Sequence, residues 1–326
     1  MKAAFLDFGS LGPADIDSSA LLAILPDIVL YPSTGDDEID ARAAACEVLL
    51  VNKVRLDRAR LEGLPALRLI CLAATGTDNV DLAAARDRDI AVCNIRNYAT
   101  ASVVQHVFGL LLALTLRLDE YRQLLSRGAW QQSPHFCLLD YPSRELAGRT
   151  LAIVGYGQLG QAVGTVGQAF GMRVMAARSL READNQTFTP AAPWVDRLAL
   201  PELLAAADVV SLHCPLTPAT RRLINRESLG RMRRDAVLIN TARGDLVDSA
   251  ALLAALRAGS LGGAAIDVLP EEPPASGDPL LEARLQNLIV TPHIAWAARE
   301  SRQRALDEVV ANVRDFLAGG RRNRVA

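Results

Sequence analysis

Three polar residues stand just beyond apolar, strand-like runs late in the chain: Arg243 after AVLINTA, Glu272 after AAIDVLPE and His293 after LIVTP. In a parallel doubly wound sheet such positions are the carboxyl ends of strands, where ligands bind in the crevice. One basic, one acidic and one near-neutral titrating side chain would then meet at a single place. Reduction of a ketone by hydride is the chemistry that fits. Negative charge grows on the carbonyl oxygen as hydride reaches carbon, so a proton donor that titrates near working pH is needed, and histidine suits. A carboxylate beside it stabilises imidazolium and keeps the donor loaded. An arginine fork can bind a carboxylate and polarise the ketone, so the expected substrate is a small 2-keto acid. The chain has only 4 histidines, and an isolated one among apolar residues is more often structural. Coincidence with two other strand ends reverses that reading for His293. His106 and His213 read as structural or cofactor-lining, and His135 as a polar loop residue. Glu271 competes with Glu272 on residue type alone.

A second pattern supplies the hydride source. The run LAIVGYGQLG is an apolar strand entering Gly155-x-Gly157-x-x-Gly160 and then a helical stretch. Glycines at those points allow a tight turn, close approach to a pyrophosphate, and close packing of helix on strand; phosphate sits at the helix N-terminus, against Gly155, Gly157, Gln158, Leu159 and Gly160. A cofactor with a free ribose 2′-hydroxyl calls for an acid about 20 residues on. Arg178 ends the next strand instead, with Ser179 and Arg181 behind it. A guanidinium pairs with a 2′-phosphate that a carboxylate would repel. NADP(H) is therefore the favoured cofactor and NAD(H) the alternative.

These side chains need a scaffold. At 326 residues the chain suits two domains rather than one core. Short apolar runs alternate with Ala- and Leu-rich stretches, first as AAFLDF, DIVLYP, EVLLVN, LRLICLAAT and IAVCNI. After a polar segment around SPHFCLLDYPSRELAGR they resume as TLAIVGYG, RVMAAR, ADVVSLHCP, AVLINTA, GGAAIDVL and NLIVTPH, six strands in all. That rhythm predicts an α/β protein of two doubly wound parallel-sheet domains, Rossmann-like and flavodoxin-like, with the active-site cleft between them. Residues 1–98 plus 294–326 are read as the substrate domain and residues 99–293 as an inserted dinucleotide-binding domain. One long helix, TASVVQHVFGLLLALTLRLDEYRQLLSRGAW, is expected to connect them, with Thr100 or Ser102 as N-cap and Gly128 near its end. The tail ARESRQRALDEVVANVRDFLAGG reads as one amphipathic helix closed by Gly319 and Gly320.

Composition narrows the partners. Lys plus Arg number 35 against 37 Asp plus Glu, which gives no reason to expect nucleic acid or a membrane surface. Cys46, Cys71, Cys93, Cys137 and Cys214 are scattered, so neither a disulfide framework nor a metal site is expected. No uninterrupted apolar run reaches the roughly 20 residues of a membrane span, and the N-terminus lacks a cleavage signal. A cytoplasmic protein is expected.

The segments VGYGQLG, SLHCPLTPATRRLIN, INTARGDLVD, AAIDVLPEEPP and VTPHIAWAA resemble, in order and spacing, the D-isomer-specific 2-hydroxyacid dehydrogenase family. AATGTDNVDLAAARDRDIAVCNI extends the resemblance into the first lobe. It implies that Arg243, Glu272 and His293 are the catalytic three. It further implies that Thr75, Gly76 and Thr77 bind the substrate carboxylate and that Asp267 holds the nicotinamide amide. His213, Cys214, Pro215, Thr220, Thr241, Ala242 and His293 would line the cofactor. PHIAWAA, with Trp296, resembles the glycerate dehydrogenase and hydroxypyruvate–glyoxylate reductase branch. There a bulky indole either limits the pocket or packs in the core. Arg178 departs from the acid of many NAD-using members. The resemblance also implies a homodimer with SPHFCLLDYP and Trp130 against the partner. Competing readings are a dinucleotide-sensing co-repressor, a phosphoglycerate dehydrogenase lacking its regulatory domain, and a formate dehydrogenase, whose relatives carry glutamine where Glu272 stands.

Overall fold

The computed structural model describes residues 1–179 and 195–326; Arg181 lies outside them. The chain forms two compact units, Met1–Ala99 with Trp296–Ala326, and Thr100–Ala295.

The first unit is built on five parallel strands, β1 (Ala3–Phe5), β2 (Val29–Leu30), β3 (Val48–Val51), β4 (Leu69–Leu72) and β5 (Ala91–Cys93). Their order is β2-β1-β3-β4-β5, the flavodoxin-like winding. β3 and β4 are buried at every position, which explains their unbroken apolar sequences: a parallel sheet covered on both faces has no polar side to alternate with. The helix Arg299–Leu317 lays Ala305, Leu306, Val309, Val310 and Val313 on the same core as Phe5, Leu50, Leu69 and Cys71. That spacing is one helical face. The helix is tied down by Arg302, whose guanidinium meets the Asp15 carboxylate at 2.6 and 2.8 Å, and Gly319 ends it with φ 83°.

Among its described residues the second unit holds seven parallel strands: β6 (Thr150–Val154), β7 (Arg173–Ala177), β8 (Asp196–Leu198), β9 (Val209–Leu212), β10 (Val237–Asn240), β11 (Gly263–Ile266) and β12 (Leu288–Val290). The order β12-β11-β10-β9-β6-β7-β8 is the Rossmann winding with one further strand, and it reverses direction between β6 and β9. Two sequence expectations are corrected here. Six strands are expected and seven form among the described residues, because β8 is a three-residue edge strand of sequence DRL, too short and polar to show an apolar run. Its Asp196 pairs with Arg173 of β7 at 2.9 Å. The single long helix is in fact two, Thr100–Leu116 and Leu118–Ser126, broken where Arg117 takes a left-handed φ of 55°. Asp119 and Glu120 then occupy the first turn of the second helix, where the macrodipole favours acids. No single helix among the described residues is long and apolar enough to cross a membrane, and these two pass such a test only as a pair bent by 57°.

Candidate active site

The glycine loop lies at the carboxyl end of β6, at the topological switch point of the second unit. Gly155 has φ 97°, and a Cβ there would stand 2.4 Å from the Cys214 nitrogen, past the end of β9. Only glycine lets the two strand ends meet so closely. A Cβ at Gly160 would fall 2.2 Å from the Gly155 carbonyl oxygen and 2.9 Å from Ile153 Cγ2, so this glycine seats the helix Gln158–Ala169 on its strand. Gly157 is the N-cap and offers no side-chain cap. The N–H groups of the first turn, at Gln158, Leu159 and Gly160, have no acceptor within the helix. Open space stands over Gly157 among the described residues, where a Cβ would meet none of their atoms within 4 Å. An uncapped helix N-terminus under open space is a cradle for a dinucleotide pyrophosphate. The residues present fit that group.

The flanks of the cradle are the ends of the neighbouring strands. Arg178 and Ser179 are exposed just past β7, with the Arg178 N–H bonded to the Leu198 carbonyl at 2.8 Å. On the other side His213 bonds Val154 O through its N–H at 2.7 Å and Ser211 Oγ through Nε2 at 2.8 Å. Its Nδ1 is buried without a partner among the described residues, and burial pulls the imidazole down to about 4. Burial likewise pushes the Cys214 thiol up to about 11, leaving an inert thiol. Thr220 accepts the Thr217 N–H at 2.7 Å and donates to Pro215 O at 2.8 Å, so its hydroxyl braces the loop.

Arg243, Glu272 and His293 follow β10, β11 and β12. Asn240, fully buried at the end of β10, shapes the first turn: its Oδ1 accepts the Ala242 N–H at 3.0 Å and its Nδ2 donates to Arg243 O at 2.9 Å. The Arg243 guanidinium bonds Ala242 O at 2.8 Å, and Thr241 Oγ1 is buried. A Cβ on Gly244 would fall 2.0 Å from the Leu269 carbonyl carbon, so the Arg243 turn lies against the loop that carries Glu272. In that loop Glu272 Oε1 accepts the Leu269 N–H at 2.8 Å, while Oε2 meets His293 Nδ1 at 2.5 Å. The carboxylate thus has one oxygen on its own loop and the other on the imidazole.

His293 itself sits at a left-handed φ of 54°, a conformation unusual for a side chain this large. Asp267 imposes it. The Asp267 carbonyl accepts the His293 N–H at 2.7 Å. Its carboxylate accepts Thr291 Oγ1 at 2.5 Å and the N–H groups of Ile294 and Ala295, both at 2.9 Å. His106 lies 3.1 Å from Thr291 Oγ1 and 3.3 Å from Asp267 Oδ1. Burial would raise the Asp267 pKa, but the bonds with His106, Thr291, Ala295 and Ile294 outweigh it and hold the group below the ordinary carboxylate range. Asp267 therefore knits β11 to the His293 loop. Asn240 and Asp267 are the positioning residues that sequence reading underrates; a polar residue closing an apolar strand, in INTARG and AAIDV, is the available signal.

Other expected residues fall in the first unit. Thr75, Gly76 and Thr77 follow the carboxyl end of β4. Thr75 donates to Ile95 O at 2.9 Å and its own carbonyl accepts Asn94 Nδ2 at 2.7 Å. Trp296 is half-buried, packs on the first unit's core and meets Tyr98 edge-on at 6.4 Å. Among the described residues, no three His, Cys, Asp or Glu side chains are grouped to hold a metal ion.

A phosphate cradle at the switch point, with an imidazole–carboxylate pair at a strand end of the same sheet, is the arrangement of a dinucleotide-dependent oxidoreductase. The chain belongs to the D-isomer specific 2-hydroxyacid dehydrogenase family, whose NAD binding domain matches residues 108–295. It is 46% identical over 294 residues to the glycerate dehydrogenase of Methylorubrum extorquens, covering 90% of each chain. With the hydroxypyruvate reductase of Blautia hydrogenotrophica it shares 36% identity across 98% of each chain. Among solved structures, an acyclic imino acid reductase bound to NADPH and D-Arg superposes with a TM-score of 0.87 over the full length of both chains, at 25% identity.

Proposed function

We propose that this chain reduces a small 2-keto acid, hydroxypyruvate or glyoxylate, to the D-2-hydroxy acid, with NADPH preferred. The observation that carries the chemistry is the 2.5 Å contact between His293 Nδ1 and Glu272. An ionised carboxylate only accepts, so Nδ1 keeps its proton and Nε2 becomes the nitrogen that exchanges one with substrate, as in hydrolase triads. Glu272 is then a positioning residue that fixes the ring and stabilises its cationic form. The naming of the relatives as glycerate dehydrogenase and hydroxypyruvate reductase supports the substrate class.

Bound at the glycine loop, the nicotinamide cofactor supplies hydride to the carbonyl carbon. The chain does the rest. The N–H groups of Gln158, Leu159 and Gly160 hold the pyrophosphate, and Arg178, with Ser179, pairs with the 2′-phosphate. His213, Cys214, Pro215, Thr220, Thr241, Ala242 and Asp267 shape the cofactor's bed. Arg243 holds the substrate carboxylate and polarises the carbonyl. His293 Nε2 delivers the proton to the developing alkoxide. A panel of 2-keto acids assayed with NADPH and NADH tests the reading: hydroxypyruvate or glyoxylate with NADPH should lead. Binding of cofactor without turnover of any 2-keto acid would make the chain a dinucleotide sensor instead.

We also propose a cytoplasmic homodimer. Phe136, Leu139 and Trp130 are 91%, 86% and 52% exposed in one segment, which Trp130 Nε1 folds on itself by donating to Phe136 O at 2.9 Å. Such an apolar cluster needs a cover, and a second copy supplies it. A monomeric mass by light scattering at assay concentration would end that proposal.

A further inference from the structure

At the amino ends of β10, β11 and β12 the second unit has a cavity of about 530 Å³, lined among others by Arg117, Arg144, Arg234, Asp235, Gln286 and Asn287. A smaller adjoining cavity of about 130 Å³ shares five of these residues, all but Arg234. This is the end of the sheet opposite to Arg243, Glu272 and His293, about 13 Å away along a four-residue strand. The lining carries three guanidinium groups and one carboxylate. Arg144 meets Asp235 at 2.7 Å. Arg117 meets Glu120 at 2.6 Å, and that carboxylate is buried behind it. Arg234 lies in no ion pair among the described residues: its Nε donates to Gly259 O at 2.9 Å, which leaves its terminal nitrogens to the cavity. The side-chain amides of Gln286 and Asn287 make no hydrogen bond among the described residues.

Solvation alone does not explain this corner. Arg117 is held at a left-handed φ of 55° with its guanidinium 5.8 Å from the Tyr141 ring centroid, and Arg144, from a different segment, lines the same opening. Guanidinium groups from three segments line one opening with amide donors beside them, and guanidinium is the side-chain group best suited to phosphate oxygens.

We propose that this cavity is a binding site for a small phosphorylated anion, separate from the dinucleotide cradle. A ligand there would tie together the roots of the three strands whose far ends carry Arg243, Glu272 and His293. By mass action it would stabilise the folded unit.

Calorimetric titration of the NADPH-saturated protein with inorganic pyrophosphate, at ionic strength fixed with sodium chloride, tests the proposal. Saturation with NADPH keeps pyrophosphate out of the glycine loop. One saturable site per chain is expected. Arg234→Gln should weaken it at least tenfold while leaving the 2-keto acid KM unchanged, which also shows that the variant is folded. Asp235→Asn should tighten it, a direction that a merely structural role for Asp235 does not produce. A titration with citrate separates phosphate from carboxylate recognition, and pyrophosphate should bind more tightly. No saturable heat with pyrophosphate, equal affinity in Arg234→Gln, or tighter binding of citrate would each overturn the proposal.

Discussion

The two sheets are wound alike, yet their switch points are finished in opposite ways. In the first unit the reversal falls between β1 and β3, and there Asp7 plugs the end of the sheet. Its carboxylate accepts the N–H groups of Asn52, Lys53 and Val54 at 2.8, 2.6 and 3.2 Å, and the chain continues into the short 3-10 turn Phe8–Leu11. In the second unit the reversal falls between β6 and β9, where a glycine N-cap leaves the first turn of a twelve-residue helix without a side-chain partner. One switch point has its own anion built in, and the other is left for an anion to arrive. A doubly wound fold therefore does not by itself make a nucleotide site; the strand-end donors must be left unsatisfied by the chain.

Closing the open end should have the largest effect. Gly155→Val places a branched side chain where a single Cβ already falls 2.4 Å from Cys214 N. NADPH binding, followed by fluorescence titration, should be abolished, with the second unit's fold impaired in circular dichroism. Near-normal affinity would show that the loop has more room than the comparison requires. Opening the closed end should cost stability without creating a site. Asp7→Ala strands three N–H donors and should destabilise the protein by about 3 kcal/mol in urea unfolding, with no second equivalent of dinucleotide bound.

Cofactor preference comes next in size. Arg178→Asp exchanges a partner for the 2′-phosphate for an acid that bonds ribose hydroxyls, and should lower the NADPH to NADH efficiency ratio by roughly 10–100-fold. Equal efficiency with both cofactors in the parent enzyme would make Arg178 a bystander.

The smallest expected effect concerns His213, at the edge of the open switch point. Its folded pKa of about 4 lies below the ordinary 6.5, so the unfolded chain takes up the proton first as pH falls. Its contribution to stability is complete above pH 6.5 and is lost between there and pH 4, at no more than about 1.4 kcal/mol per pH unit. Urea unfolding of His213→Gln from pH 7 to 4.5 should show a shallower decline than the parent. Parallel slopes would mean that the imidazole titrates normally.

Much of this architecture was legible in residue order. Among the described residues, eleven of the twelve strands fall on apolar runs; fully buried ones such as β3, β4, β9, β10 and β11 are covered on both faces and have little choice of side chain. The glycine loop was legible because sterics at Gly155 and Gly160 admit nothing larger. What stayed hidden depends on partners distant in sequence or on weak local signals. Asp7 is an unremarked acid in AAFLDF until β3 brings Asn52–Val54 to it. Asp267 shows its bracing role only when Thr291, Ile294, Ala295 and His106 converge on it. The break at Arg117 has no glycine or proline to announce it, and β8 carries no apolar stripe. Asn240 and Gly244 shape the Arg243 turn through contacts that spacing cannot reveal.

Proton donation by His293, held in place by Glu272, is tested most directly by the reduction kinetics of two variants beside the parent. His293→Ala should lose about 100-fold to 10,000-fold in kcat while binding NADPH as the parent does. Glu272→Gln should be milder and fall mainly on kcat, because the imidazole remains while the ionised acceptor that orients its Nδ1 is gone. A His293→Ala enzyme that reduces its best 2-keto acid at the parental rate, or a Glu272→Gln enzyme as fast as the parent, would contradict it.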